Sequence, residues 1–218
     1  MKCYCYETET EFVFCVEDAD IKFKTNLQAA WWKKVDQKFI KAYPKVMDDG
    51  VSADDKELLK RNFARLGQAM FEGIFDWEKV LLLLAQKFLD NGIEWYIIGS
   101  TSEAILGVDV KPHDIDIIVH TRDFYKVKNI FHDCIVEPFV DNKGTWLVRY
   151  FGRLCLNGAI IDIAADEKMN LENHKYEKVL WNDYNVFIEP LQLRYQTELT
   201  RNRKDRIKAI EEYIEKHK

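Results

Sequence analysis

Asp114, Asp116 and Asp162 are the residues of this 218-residue chain whose types and spacing best suit chemistry. Each is a charge set inside a run of β-branched apolar residues: Asp114-Ile115-Asp116-Ile117-Ile118-Val119 and Ala159-Ile160-Ile161-Asp162-Ile163-Ala164. Both runs read as buried or half-buried strands. Residues two apart on a strand share a face, so Asp114 and Asp116 project together while Ile115 and Ile117 project the other way. Carboxylates crowded like this repel, and burying them uncompensated is costly. The simplest neutraliser is a hard divalent cation, which prefers oxygen ligands. The pattern points to a metal-dependent site.

Upstream, Tyr96-Ile97-Ile98-Gly99-Ser100-Thr101-Ser102 reads as strand, glycine turn and helix start. Glycine lets the backbone approach a phosphate closely, and free N–H groups and hydroxyls at a helix N-terminus bind its oxygens. Gly99, Ser100 and Thr101 are therefore candidate phosphate contacts. Thirteen residues separate Ser100 from Asp114, enough for a short helix and a return to the next strand. Near the C-terminus, Arg201, Arg203, Lys204 and Arg206 crowd the start of the last expected helix, where positive charge opposes the helix dipole. A bound polyphosphate would relieve that conflict; a solvated cationic turn paired with Asp205 and Glu198 is the plainer account.

Apolar-Gly99-Ser100, a short spacer, Asp114-Ile-Asp116 and a later Ile-Asp162-Ile resemble the signature of the DNA polymerase beta-like nucleotidyltransferase superfamily, in particular its minimal and antibiotic-modifying types. The likeness covers about residues 93–165, and the C-terminal helices loosely. It implies that Asp114 and Asp116 hold Mg²⁺, with Asp162 completing a second metal site. It also implies that Gly99 and Ser100 contact the tail of a nucleoside triphosphate, and that Lys204, in a Lys-Asp pair, is a further triphosphate contact. In a two-metal displacement one ion activates the attacking hydroxyl and the other stabilises the departing pyrophosphate. Asp162 would also accept the hydroxyl proton. The chain departs from many relatives just ahead of the pair, where Lys111-Pro112-His113 stands in place of Thr, Ser or Arg. His113 reads as a polar loop residue, and Asp109, Asp166 and Glu167 as surface charges.

Other chemistries fit less of the pattern. A haloacid dehalogenase-type phosphatase also uses Asp-x-Asp, but there the pair ends its strand, whereas here the apolar run follows it. A sugar-nucleotide transferase would leave Gly99-Ser100 and Asp162 without a role. A degenerate member that binds nucleotide without turnover is a further alternative. A net charge of −5 disfavours binding of long nucleic acid, so a small hydroxylated acceptor is expected. A toxin-like transferase acting on transfer RNA or a protein is the alternative; it would need a basic groove, for which Lys33, Lys34, Lys38 and Lys41 with Trp31 and Trp32 are the candidates. The five cysteines lack zinc-ligand spacing and read as free thiols of a cytoplasmic protein. No stretch approaches a membrane span, and the N-terminus lacks the apolar run of a signal peptide.

The elements expected around these residues make an α/β (α+β) nucleotidyltransferase core: a mixed β-sheet flanked by helices, with C-terminal helices and an α-rich N-terminal extension. The division falls near Phe75, giving an extension over 1–75 with one or two strands and a core over 76–218. In the extension we expect a strand over 11–16, a helix from about Asn26 to Tyr43, a turn at Asp48-Asp49-Gly50, and a helix opened by a Ser52/Asp55 capping box and carrying Leu59, Phe63, Leu66 and Met70. Asp76 caps a helix that runs through Asn91 and ends at Gly92. Strands are expected at 95–98, 114–119, 135–140, 145–150 and 154–164, with a helix over 121–133 capped by Thr121. A hairpin turns at Asn182-Asp183, Pro190 opens a helix, and a last helix runs from about Arg203.

Overall fold

The structure, a computed structural model, describes residues 1–29, 32–45 and 53–217. The chain begins with a four-stranded antiparallel sheet, built from β1 (Lys2–Glu7), β2 (Glu11–Glu17), β3 (Lys33–Val35) and β4 (Lys38–Pro44) in the order β1-β2-β4-β3. Helix α1 (Ile21–Ala29) joins β2 towards the β3–β4 hairpin. The helix expected over 26–43 is thus replaced, from Lys33 onward, by that hairpin. Phe39 and Tyr43, four apart, are both buried, a spacing that helix and strand share; the antiparallel pairing with β2, Phe39 opposite Val16 and Tyr43 opposite Phe12, makes this segment a strand. Asp36 supplies the turn with a positive φ of 53°. The turn expected at 48–50 and the Ser52 cap lie outside the described residues.

Helix α2 (Ala53–Glu72) carries Leu59, Phe63 and Met70 into the core. Phe63 meets Phe14 edge-on and stacks on Trp32, so α2 is tied to the first sheet by aromatic packing. It also approaches β1 closely at Gly67, where a Cβ would stand 2.7 Å from Cys3 Sγ. Helix α3 (Trp77–Asp90) starts as expected at Asp76, whose carboxylate accepts from Lys79 N at 3.3 Å, and Gly92 follows its end with φ 58°.

The second sheet has seven strands in the order β10-β11-β5-β6-β9-β8-β7. These are β5 (Trp95–Ile98), β6 (Ile115–Val119), β7 (Ile135–Asp141), β8 (Tyr150–Leu156), β9 (Ala159–Ala165), β10 (Glu177–Trp181) and β11 (Tyr184–Ile188). Pairing is mixed: β6 runs parallel to β9 and antiparallel to β5, and β11 runs parallel to β5. Four helices complete the fold: α4 (Gly99–Leu106), α5 (Phe124–Ile130), α6 (Leu191–Thr200) and α7 (Lys204–Lys216). The mixed α/β architecture is the one expected, and a single buried apolar cluster runs from Phe12 and Phe14 of the first sheet to Ile161 and Ile163 of the second.

Three further expectations need correction. Residues 145–149 form a loop, because the Asn142 side chain takes their backbone: it accepts from Trp146 N at 3.2 Å and donates to Val148 O at 2.7 Å. The single run over 154–164 is two strands, β8 and β9, reversed at Asn157-Gly158, both with positive φ. That Asn-Gly pair is a strong hairpin signal in the sequence. The helix over 121–133 is shorter, with a 3₁₀ turn at each end of α5. It is capped by the His120 ring, which accepts from Arg122 N, rather than by Thr121. The Asn182-Asp183 turn and the helix beginning after Pro190 stand as expected.

Candidate active site

Register brings the aspartates together. β6 and β9 are parallel neighbours with Asp116 opposite Asp162, and Ile98, the last residue of β5, is opposite Asp116. Ile115, Ile117, Val119, Ile161 and Ile163 fill the buried face of these strands. The period of two therefore puts Asp116 and Asp162 on the other face, while Asp114, in the bend just before β6, lies close enough for its charge to act on Asp116; all three are half-buried. A strand that anchors one face in the core cannot slip by one residue without inverting that arrangement.

Gly99 follows Ile98 directly, with φ 67°; a Cβ built there would stand 2.1 Å from Asp116 Oδ2. Only glycine lets the first turn of α4 pass so close to this carboxylate. The next three residues divide their roles. Thr101 Oγ1 donates to Asp114 O at 3.3 Å, tying the turn to the residue before β6, and Ser102 Oγ donates to Gly99 O at 2.8 Å within the first turn of α4. Ser100, also buried, has no hydroxyl partner among the described residues.

Electrostatics separates the three carboxylates. Burial pushes the pKa of Asp114 up, the charge of Asp162 adds to it, and Arg153, His113 and Arg206 offset part of the rise. Asp116 is raised well above the usual carboxylate range, first by burial and then by Asp114 and Asp162. Among the described residues neither forms an ion pair. Asp162 does: Arg153, its cross-strand partner on β8, donates Nε to Oδ1 at 2.6 Å and Nη2 to Oδ2 at 2.9 Å. Arg153 also donates to Glu137 of β7, which is fully buried.

The residues fit a divalent cation at Asp114 and Asp116, a destabilised dicarboxylate facing away from the core. They do not fit one in the same way at Asp162, both of whose oxygens are taken by a guanidinium. Among the described residues, the group of metal-ligating side chains whose donor atoms all lie within 4.8 Å of one another is Glu94, His120 and Glu172, not the aspartates. That group is satisfied within the protein: Glu94 accepts from Tyr96 and Arg122, and the His120 Nδ1 lone pair is used by Arg122 N.

The C-terminal helices close the other side. Glu103 of α4 is fully buried; it accepts from Arg194 Nε of α6 at 3.0 Å and from Arg206 Nη1 of α7 at 3.2 Å. The α7 cation felt by Asp114 is Arg206, while Lys204 is exposed on the first turn of the same helix. Arg153, Glu137 and Glu103 were not anticipated from the sequence. The signal was present for the first two: each is a charge inside an apolar strand, the criterion that singled out the aspartates.

No protein-family model and no curated protein matches this sequence. Among solved structures, the fold matches a candidate nucleotidyltransferase from Thermotoga maritima with TM-score 0.50 and 19% identity, over 64% of this chain and 93% of that one. A nucleotidyltransferase-like antigenic protein from Paracoccidioides brasiliensis is also similar, at TM-score 0.42 and 14% identity, over 61% of this chain and 73% of that one. The class defined by the architecture is accordingly the nucleotidyltransferase fold.

Proposed function

We propose that the protein is a Mg²⁺-dependent nucleotidyltransferase that moves a nucleoside monophosphate from a nucleoside triphosphate to a hydroxyl of a small acceptor. The observation that carries this reading is the register: Asp116 opposite Asp162 and one pairing step from Ile98, which leads into Gly99 and Ser100. The acceptor oxygen bonds to the α-phosphorus, the bond from that phosphorus to the bridging oxygen breaks, and pyrophosphate leaves. Asp114 and Asp116 would hold the Mg²⁺, which supplies charge neutralisation at the phosphates. The backbone of Gly99 and Thr101 and the free hydroxyl of Ser100 would bind the triphosphate tail, with Arg206 and Lys204 lending positive charge from α7. Asp162, oriented by Arg153, accepts the proton of the attacking hydroxyl.

Incubation with each labelled triphosphate, Mg²⁺ and a panel of aminoglycosides, lincosamides, RNA and cell extract tests this. The expected result is pyrophosphate release that depends on Mg²⁺ and on one small acceptor. Labelling of RNA or of a protein band instead would point to the macromolecule-modifying alternative.

One observation favours a second reading. Arg153 holds both oxygens of Asp162, an arrangement compatible with nucleotide binding without turnover. Binding of a triphosphate with no pyrophosphate release from any acceptor would select it.

A further inference from the structure

Asp162 and Asp116 lie on one face of one sheet, but Asp162 and the Asp114–Asp116 pair are neutralised by different means. Arg153 engages Asp162 with two donors and turns its remaining Nη1 to Glu137 Oε1 at 2.7 Å. The other oxygen of Glu137 accepts from Lys41 Nζ at 2.6 Å and from the Tyr43 hydroxyl, both on β4 of the first sheet. The side chains of Arg153 and Glu137 are 5% and 0% exposed, so this is a desolvated cluster. Its two carboxylates are matched by two cations, and their hydrogen-bonding positions are largely filled by the protein itself. A guanidinium fork on a carboxylate leaves little for a second cation to add. Among the described residues, Asp114 and Asp116 have no such partner.

We propose that the protein holds one metal ion, at Asp114 and Asp116, and that Arg153, braced by Glu137 and Lys41, stands in for a second ion at Asp162. The inference deepens the transferase reading and rests on it. Asp162 is then an oriented proton acceptor rather than a ligand. Arg153 is a positioning residue, and the first sheet, through Lys41 and Tyr43, becomes part of the charge balance of the site.

Mn²⁺ titration of the full-length, nucleotide-free protein, followed by calorimetry and electron paramagnetic resonance, tests the assignment. One ion per chain is expected. Asp116→Asn should weaken it by about tenfold or more, and Asp162→Asn should leave its affinity within about twofold. The double variant Arg153→Gln/Glu137→Gln removes one charge of each sign and frees Asp162. It should gain a second ion or bind the first about tenfold more tightly. Should that variant fail to fold, Asp162→Asn decides alone. Two ions on the wild type, none at all, or a tenfold loss in Asp162→Asn overturns the proposal. Pyrophosphate release from the same preparation separates the two claims. One ion without release leaves the single-ion assignment standing and removes the transferase, whereas two ions with release does the reverse.

Discussion

Glu137 on β7 and Asp116 on β6 are both carboxylates in apolar strands of the same sheet, yet their protonation is driven in opposite directions. Burial raises both. At Glu137 the charges of Arg153 and Lys41 outweigh burial and bring its pKa from an ordinary 4.5 to about 2. At Asp116 the nearest strong influences are two more carboxylates, and the pKa goes up. The first region pairs its carboxylates with cations inside the fold; the second leaves two half-buried carboxyls without an ion pair among the described residues. An unmatched pair of this kind is costly to the isolated protein and useful for binding a cation, which is why strongly perturbed carboxylates mark candidate sites.

That contrast can be broken at several points. Asp114→Ala and Asp162→Ala should each lower transfer by about a thousandfold or more, roughly 4 kcal/mol of transition-state stabilisation, with the fold retained; a pyrophosphate-release assay reads this. Either variant keeping wild-type turnover would remove that residue from the chemistry. Glu137→Ala should instead act on stability, by about 3–5 kcal/mol, because it leaves the buried Arg153 and the half-buried Lys41 without their shared partner. Denaturant unfolding measures it.

The pH dependence follows from the same signs. The Glu137 pKa is depressed on folding, so its contribution is present above about 4.5 and is lost as pH falls towards about 2. Asp116 is raised on folding, so its cost appears as pH rises through its folded pKa and is relieved by acid.

Gly99→Ala should cost about 1–2 kcal/mol in stability from its positive φ alone, and more in nucleotide affinity, since the new methyl collides with Asp116. Titration with a non-hydrolysable triphosphate separates the two. Asp116→Asn should abolish transfer yet stabilise the metal-free protein at neutral pH by about 1 kcal/mol, a rise of some 2–4 °C in melting temperature. That gain should shrink as pH falls, and a destabilised variant would mean that Asp116 is already compensated. The smallest effect belongs to the exposed Arg61–Asp133 pair, 62% exposed on each side, where Asp133→Ala should shift stability by under about 0.5 kcal/mol.

Much of this was legible in the chain. Alternation of isoleucine and aspartate identifies two strands and the face their carboxylates share, because the period of two is a property of the strand itself. Asp76 before an apolar helical run acts through a local hydrogen bond, and Asn182-Asp183 between two short strands through positive φ; neither needed tertiary information. Residues 33–44 were misread because lysines interleaved with aromatics suit an amphipathic helix as well as an edge hairpin. The pairing of β4 with β2, which sets Phe39 opposite Val16 and Tyr43 opposite Phe12, decides for the hairpin. Residues 145–149 depart from the expected strand because a side chain outside the apolar pattern, Asn142, competes for their backbone.

For the site, the sequence by itself determined which residues carry charge into apolar strands, and that a glycine turn precedes the first of them. It could not determine pairing. Strand order places Arg153 rather than solvent against Asp162, and sheet-on-sheet packing delivers Lys41 and Tyr43 to Glu137 from more than ninety residues away in the chain. Local periodicity fixes the direction of a side chain, but the partner it meets depends on contacts distant in sequence. Those contacts decide which of these carboxylates the protein pairs with its own cations and which it leaves unpaired among the described residues.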